Sequence, residues 1–584
     1  MKRRFLYLLI ASASVLNWSC NDFLDREPLD VISDDKVWGN PNAIQAYMAA
    51  MYDDVFVEHH DWQMNGGYLS HYTDEAMRGY SWGSAHNPTF GDNYLEKWEY
   101  NKIRKINEFL EKIPSAKIDH SLIKQYTAEA YFLRAFNYFV MAKRYGGLPL
   151  VKEVQQYDGD NINDLKIARS TEDETWSFIS EDLDRAITDL PESQDAANQF
   201  RATKYSAYAL KSRAMLYAGS ISRYGKVQLN GLVGIQENKA NHYFQLAMNA
   251  SEEIIKSGRY ALYERETDKA ENFQKLFIDE SMHEEALYVK AFSVPDKAHS
   301  FDYYNAAPSF KVDWGTSTGP TLELVEEFEY TDGRAGTLKV KDDSGTPIQY
   351  NQADDIFKDK DPRFFATVLY PNSPWQNGVL EMRRGIIDAN NVKHEASSFS
   401  EKFVHDPSYT VSGKDGLVVQ GDCSRTGFYL KKYMDPVNRL DMNRSGQNFL
   451  VFRYAETLLN YAEAAVELGQ ASKALPKVNE VRKRAGISEK SSVTLADVRK
   501  ERRVEFAFEN TRYWDLVRWR TATTVMNNTQ FSALIPWLDY RSKKYIFEKG
   551  QNTLNQAKTF LEKNYYQPIP GVNQNELLVQ NPGL

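Results

Sequence analysis

Cysteine is almost missing from this chain: of 584 residues only Cys20 and Cys423 carry a thiol. Two thiols make no disulfide framework, so each needs its own explanation. Long apolar runs are missing as well. The stretch Phe5–Val15, eleven residues, falls short of the ~20 that a spanning helix needs, and nothing later in the chain is long and apolar enough to cross a bilayer. No Pro/Gly/Ser-rich linker and no charge run divides the chain. It therefore reads as one large unit, although its length would allow several domains. Basic excess is absent too: the formal net charge is -9. That balance argues against a nucleic-acid partner and against adhesion to anionic lipid heads.

Catalytic signatures are equally scarce. There is no G-x-S-x-G elbow, no phosphate-binding glycine loop and no dinucleotide fingerprint, so catalysis has no positive support. The ten histidines make no metal motif. His283-Glu284-Glu285 begins like a zinc-protease helix, but Leu287 stands where the second histidine belongs. His59-His60-Asp61 could ligate a metal, and reads more simply as an exposed polar loop. In "DGDNINDL", Asp158 to Leu165, the acids are closely spaced, yet Ile162 breaks the order of a calcium loop. Neither a cofactor nor a metal is expected; if any ion is bound, a structural calcium at that acidic stretch is the candidate.

What is present begins at the N-terminus. Lys2, Arg3 and Arg4 precede the apolar run Phe5–Val15, the layout of a secretory signal. Two cleavage sites compete. Ala11-Ser12-Ala13 suits release of a soluble protein, and cleavage before Cys20 would leave an N-terminal cysteine to carry lipid. Lipidation explains why a sulfur-poor chain places a cysteine there. Several acyl chains on one residue would anchor durably where a single chain would not. Residues 1–19 are then the signal peptide, and its removal takes the net charge from -9 to -12 as Lys2, Arg3 and Arg4 are lost. Cys423 is left as a lone, buried thiol.

Helical periodicity marks both ends of the mature chain. Tyr454, Leu458, Tyr461, Ala465 and Leu468 follow one another at steps of 4, 3, 4 and 3, one face of an α-helix. Gly469 breaks it, and a second helix ends at Gly486. The unit Arg453–Gly486 has the length of a tetratricopeptide repeat, with Ala462, Ala465 and Ala474 small enough for close approach. Looser pairs precede it: 126–147 with 171–191, and 202–219 with 243–262. Thr171 before Glu174, and Asp173 before Trp176, are candidate N-caps. The fold expected is mainly α, a tetratricopeptide-like scaffold at about 41–58, 92–262 and 449–522. A loop-rich lobe with a few short strands takes up 59–91 and 290–446, where Gly, Pro, Asn and Asp cluster. Arg502, Glu505, Glu509 and Arg512, at steps of 3, 4 and 3, are expected to line one helical face as a stitched ion-pair surface.

Several stretches together resemble the SusD/RagB family of surface lipoproteins from Bacteroidetes. They are "CNDFLDREP" from Cys20, "YTDEA" from Tyr72, "LRAFNYFVMAKRYGGLPLV" from Leu133 and "DPRFF" from Asp361. "FRYAETLLNYAEA" from Phe452, "VNEVRKRAG" from Val478, "RRVEFAFENTRYWDLVRW" from Arg502 and the closing "YYQPIPGVNQNELLVQNPGL" complete the set. The resemblance spans the chain from Cys20 to Leu584. It implies a tetratricopeptide-like frame with a loop-rich lobe, as read above. It also implies an outer-membrane lipoprotein held through its N-terminal lipid alone and facing the medium, with Asp22 and Asp25 in a surface-export signal. Such proteins act as lids over a SusC-like TonB-dependent transporter, to which they pass captured oligosaccharides without cleaving them. Some relatives are thought to bind peptides instead.

The shared stretches are scaffold, so the site must be read from the residues. A sugar ring offers an apolar C–H face ringed by hydroxyls, which a flat Trp or Tyr covers while Asn, Asp, Gln and Arg meet the rim. Aromatic content is high, 13%, enough to fill a core and leave rings over. Two loop stretches combine both residue types: Tyr80 and Trp82 with Asn87, and Tyr303, Tyr304 and Asn305 with Asp313 and Trp314.

Overall fold

The computed structural model describes residues 37–60, 68–80, 95–418, 421–551 and 557–584. Its frame is a row of helices: Pro41–Asp54, Tyr100–Lys112, His120–Tyr145, Glu172–Asp189, Lys204–Tyr224 and Ala240–Ser257. Local chemistry sets their ends. Thr171 accepts the Glu174 N–H while the Glu174 carboxylate takes the Thr171 N–H, a closed capping box. Asp173 is therefore not a cap; it lies in the first turn and accepts from the Tyr243 hydroxyl at 2.7 Å. Thr203 and Thr494 cap the same way with Ser206 and Asp497. Gly258 and Gly486 close their helices in the left-handed conformation that glycine adopts without strain.

The C-terminal pair Tyr454–Glu467 and Ala471–Ala485 completes the row. The first of these helices packs on Ala240–Ser257 as well as on its own partner and on helix Leu495–Glu505. It is consequently buried all round from Tyr454 to Ala465, not on one stripe only as the periodicity suggests. Everything from Gly258 to Asn448 is thus an insertion between helices that touch. Strand Ala286–Lys290 near its start pairs antiparallel with Phe449–Arg453 at its end, Ala286 opposite Arg453 and Lys290 opposite Phe449. That pair ties off the lobe.

Short strands dominate the lobe, and one sheet there has four. Strand Ser532–Asp539 pairs antiparallel with Lys544–Gln551 and parallel with Gly385–Ile387, which pairs in turn with Lys393–Glu395. The C-terminal hairpin thereby joins the lobe, an addition to the stretches assigned to it from periodicity. Ile386, Phe403, Val418, Cys423 and Leu538 form a second small core beneath this sheet. Cys423 is fully buried there, and burial raises its thiol pKa, which makes it unreactive.

The family-like stretches meet in a buried charge network. Glu505 receives Arg363 at 2.8 Å, Arg453 at 2.7 Å and Arg484. Arg453 also bonds Glu285 and Glu509, each at 2.7 Å. Asp361 clamps Arg363, and Glu501 joins Arg363 to Arg482. Burial alone would raise the Glu505 carboxyl, but the guanidiniums of Arg484, Arg453 and Arg363 outweigh it and hold the group well below the carboxylate range. One helical face does not carry this network. Helix Leu495–Glu505 stops at Glu505, and Phe508 and Asn510 turn with positive φ. Arg512 then opens a new helix and pairs with Asp74 at 2.8 Å. The acids and bases still stitch helices together; a tight turn, and not a continuous helix, aims them.

Candidate ligand-binding site

The strand pair Ala76–Arg78 and Thr318–Pro320 brings the two candidate stretches together. It runs antiparallel, Ala76 opposite Pro320 and Arg78 opposite Thr318, so the residues after Arg78 meet those before Thr318. Gly79 makes the close approach possible. A β-carbon there would sit 2.0 Å from the Thr316 carbonyl oxygen, nearer than any side chain tolerates. Beyond it the Tyr80 hydroxyl donates to the Gly315 carbonyl, and the Tyr80 ring lies 5.6 Å from that of Trp314.

The rings divide into supports and a platform. Trp314 keeps 38% of its surface exposed and Val312 52%. Asp313 is exposed and Tyr304 half-buried. Tyr80 and Tyr303, expected to face ligand, are instead buried. Tyr303 donates to Asp313 at 3.2 Å and packs nearly perpendicular to Tyr304. Asn305 is buried as well, its amide donating to the Tyr68 hydroxyl. A loop this short needs its own small core, and these side chains supply it. Trp82 and Asn87 lie outside the described residues, as do Cys20, Asp22 and Asp25.

A third segment, not singled out among the candidate contacts, completes the face. Asp302 sits in the short helix Phe301–Asn305 and accepts from Ser445 at 2.6 Å, from Gln447 at 3.1 Å and from the Asp435 N–H at 2.6 Å. Burial pushes its carboxyl up to about 6. These bonds clamp 435–447 against the aromatic stretch. Asn438, Arg439, Asp441 and Asn443 then stand exposed on it, and the Arg439 guanidinium lies 5.4 Å over Phe310. The polar run "DPVNRLDMNRSG" was the signal available in the sequence. The arrangement suits a flat apolar ligand face with hydroxyls at its edge.

Other candidates resolve into structure. His60 is buried, its ring nitrogen 2.7 Å from that of His299, so it is no part of an exposed loop. Glu285 belongs to the arginine network, and Asp158 accepts backbone N–H groups of Asp160 and Asn161 as a turn. A groove of about 320 Å³ lies on the helical frame between Tyr52, Phe200 and Tyr288. Its cations are matched already, Lys290 and Lys297 by Asp53 and Arg201 by Glu129.

Comparison with known proteins fits this architecture. The model described as "SusD family" matches residues 285–584, just over half of the chain. This chain belongs to the SusD family. A second model, described as starch-binding and associating with the outer membrane, matches residues 22–216. A SusD-like protein of Bacteroides fragilis, known as a crystal structure, is 26% identical with a TM-score of 0.70. That match covers 96% of this chain and 100% of the other. SusD-like protein P38 of Formosa agariphila is 24% identical over 543 residues, 89% of this chain and 92% of that one. A laminarin-binding SusD-like protein shares the fold at 20% identity and a TM-score of 0.60, covering 94% of this chain and 100% of that protein. Like them, this SusD family member is mainly helical, and among its described residues no helix is long and apolar enough to cross a membrane.

Proposed function

We propose that this SusD family protein captures oligosaccharides or polysaccharide fragments at the cell surface, without cleaving them, and delivers them to a SusC-like TonB-dependent outer-membrane transporter. The observation that carries the reading is the Trp314 face: an exposed indole beside the exposed Asp313, packed on the buried Tyr80 ring, with Tyr303 holding Asp313 and packing against Tyr304. A family model that matches this chain is described as starch-binding and one protein of the same fold as laminarin-binding, which supports a glycan as the ligand class. Lipid on Cys20 holds the protein at the outer membrane, with Asp22 and Asp25 directing it outward. No cofactor takes part.

Affinity electrophoresis through gels containing single polysaccharides, alongside a peptide panel, tests the ligand class. At least one polysaccharide should retard the protein, with no reducing ends released. Binding of peptides with no glycan retained would overturn the reading in favour of peptide capture, for which an acidic chain would prefer neutral or basic sequences. Co-purification from native outer membranes tests the partner, and fatty-acid labelling lost in Cys20→Ala tests the anchor.

A further inference from the structure

The small second core of the lobe carries a cluster that sugar capture does not use. We propose that Asp388, His394 and His405 bind one divalent ion of the zinc class, which clips two β-hairpins together. Asp388 directly follows strand Gly385–Ile387, and His394 lies on its partner Lys393–Glu395. His405 sits in the turn between strands Lys402–Phe403 and Asp406–Thr410. No spacing rule reveals such a set, because the ligands come from two hairpins.

The geometry already approaches coordination. One ligand atom from each residue lies within 4.8 Å of the others. Asp388 Oδ2 stands 3.0 Å from His394 Nε2 and 3.6 Å from His405 Nε2. Ligands held about 2.0–2.2 Å from a tetrahedral ion stand roughly 3.3–3.6 Å apart, so a small rotation of the half-exposed His405 ring closes the set. The carboxylate is aimed beforehand. Its Oδ1 accepts the N–H groups of Asn390 at 2.8 Å and Val392 at 2.9 Å, which leaves Oδ2 for the ion. Both imidazoles lean nearly perpendicular on the buried Phe403 ring, at 5.2 Å and 5.3 Å.

Chemistry selects the ion. Two neutral imidazoles and one carboxylate oxygen suit zinc, nickel or copper, whereas calcium and magnesium require several more oxygens. His405 is open to solvent, 54% exposed, so water can complete the shell. A bound ion would join the hairpin of Ile386 to that of Phe403 over the core they share with Cys423. A β-carbon on Gly79 would lie 3.5 Å from the Cys423 carbonyl oxygen, so this core lies close behind the strand pair and the clip would stiffen the lobe there.

The test uses the tag-free mature chain, stripped with chelator. Zinc titration by calorimetry and cobalt titration by visible absorption should both show one ion per chain, and zinc should raise Tm. His405→Ala, a turn residue whose loss leaves the fold intact, should weaken zinc at least about tenfold and abolish the Tm increment. His394→Ala should do the same. Absence of a cobalt spectrum and of zinc heat, or zinc binding unchanged in His405→Ala, would overturn the proposal and leave an Asp–His hydrogen bond only.

Discussion

Trp314→Ala probes the proposed capture face most directly. With 38% of its surface exposed, and an indole burying up to ~250 Å², roughly 95 Å² is open for a ligand to cover. At about 25 cal/mol/Å² full coverage is worth about 2.4 kcal/mol. A sugar ring covers one face only, so about 1–2 kcal/mol should be lost, a fall in affinity of roughly 5- to 30-fold. Trp314→Phe keeps a smaller flat face and should fall between. The assay is isothermal titration with whichever oligosaccharide retards the wild type, and a thermal melt alongside it. Tm should change little, because the ring lies at the surface of the lobe, with 38% of its area exposed. Affinity within twofold of wild type, in a variant that melts normally, would refute the assignment of Trp314 as the platform.

Gly79→Ala should push the Thr316 carbonyl away and part the strand pair beside the site, costing about 1–3 kcal/mol in urea unfolding and weakening ligand with it; a change under about 0.5 kcal/mol would mean the two backbones yield freely. Glu505→Gln leaves Arg363, Arg453 and Arg484 short of a buried counter-charge and should cost about 3–5 kcal/mol by chemical denaturation, far more than an exposed pair such as Arg104 with Glu108. Glu75 gives a pH signature. Burial first, and then the neighbouring Asp74 charge, raise its carboxyl from 4.5 to about 8. Between those values the folded protein holds a proton that the unfolded chain has lost. Its stabilising contribution is full below the unfolded value and disappears as pH rises through the folded one. Glu75→Gln should therefore flatten the fall in Tm between about pH 5 and 8, and an unchanged slope would dismiss this linkage.

Much of the frame was legible residue by residue. The step pattern from Tyr454 to Leu468, the Thr171 cap and the Gly486 stop all act within one or two turns, so a linear reading captures them. The likeness of Arg363, Arg453, Arg484 and Glu505 to family stretches was visible too, though not that they converge on one buried knot. Short-range reading erred where the chain turns against its pattern, as at Phe508 and Asn510 within the apparent Arg502–Arg512 face. The site was half legible. Aromatic and polar side chains close in sequence picked out Tyr80, Tyr303, Asp313 and Trp314, yet composition does not say which ring is covered. Tertiary structure alone decided that Trp314 faces outward while Tyr80 and Tyr303 lie beneath, because exposure depends on a strand pair joining Ala76–Arg78 to Thr318–Pro320 and on Asp302 holding a third segment in place. Helix formation is settled by neighbours three and four residues away. Which faces remain open to a ligand is settled by contacts between residues hundreds of positions apart, and those leave no period in the chain.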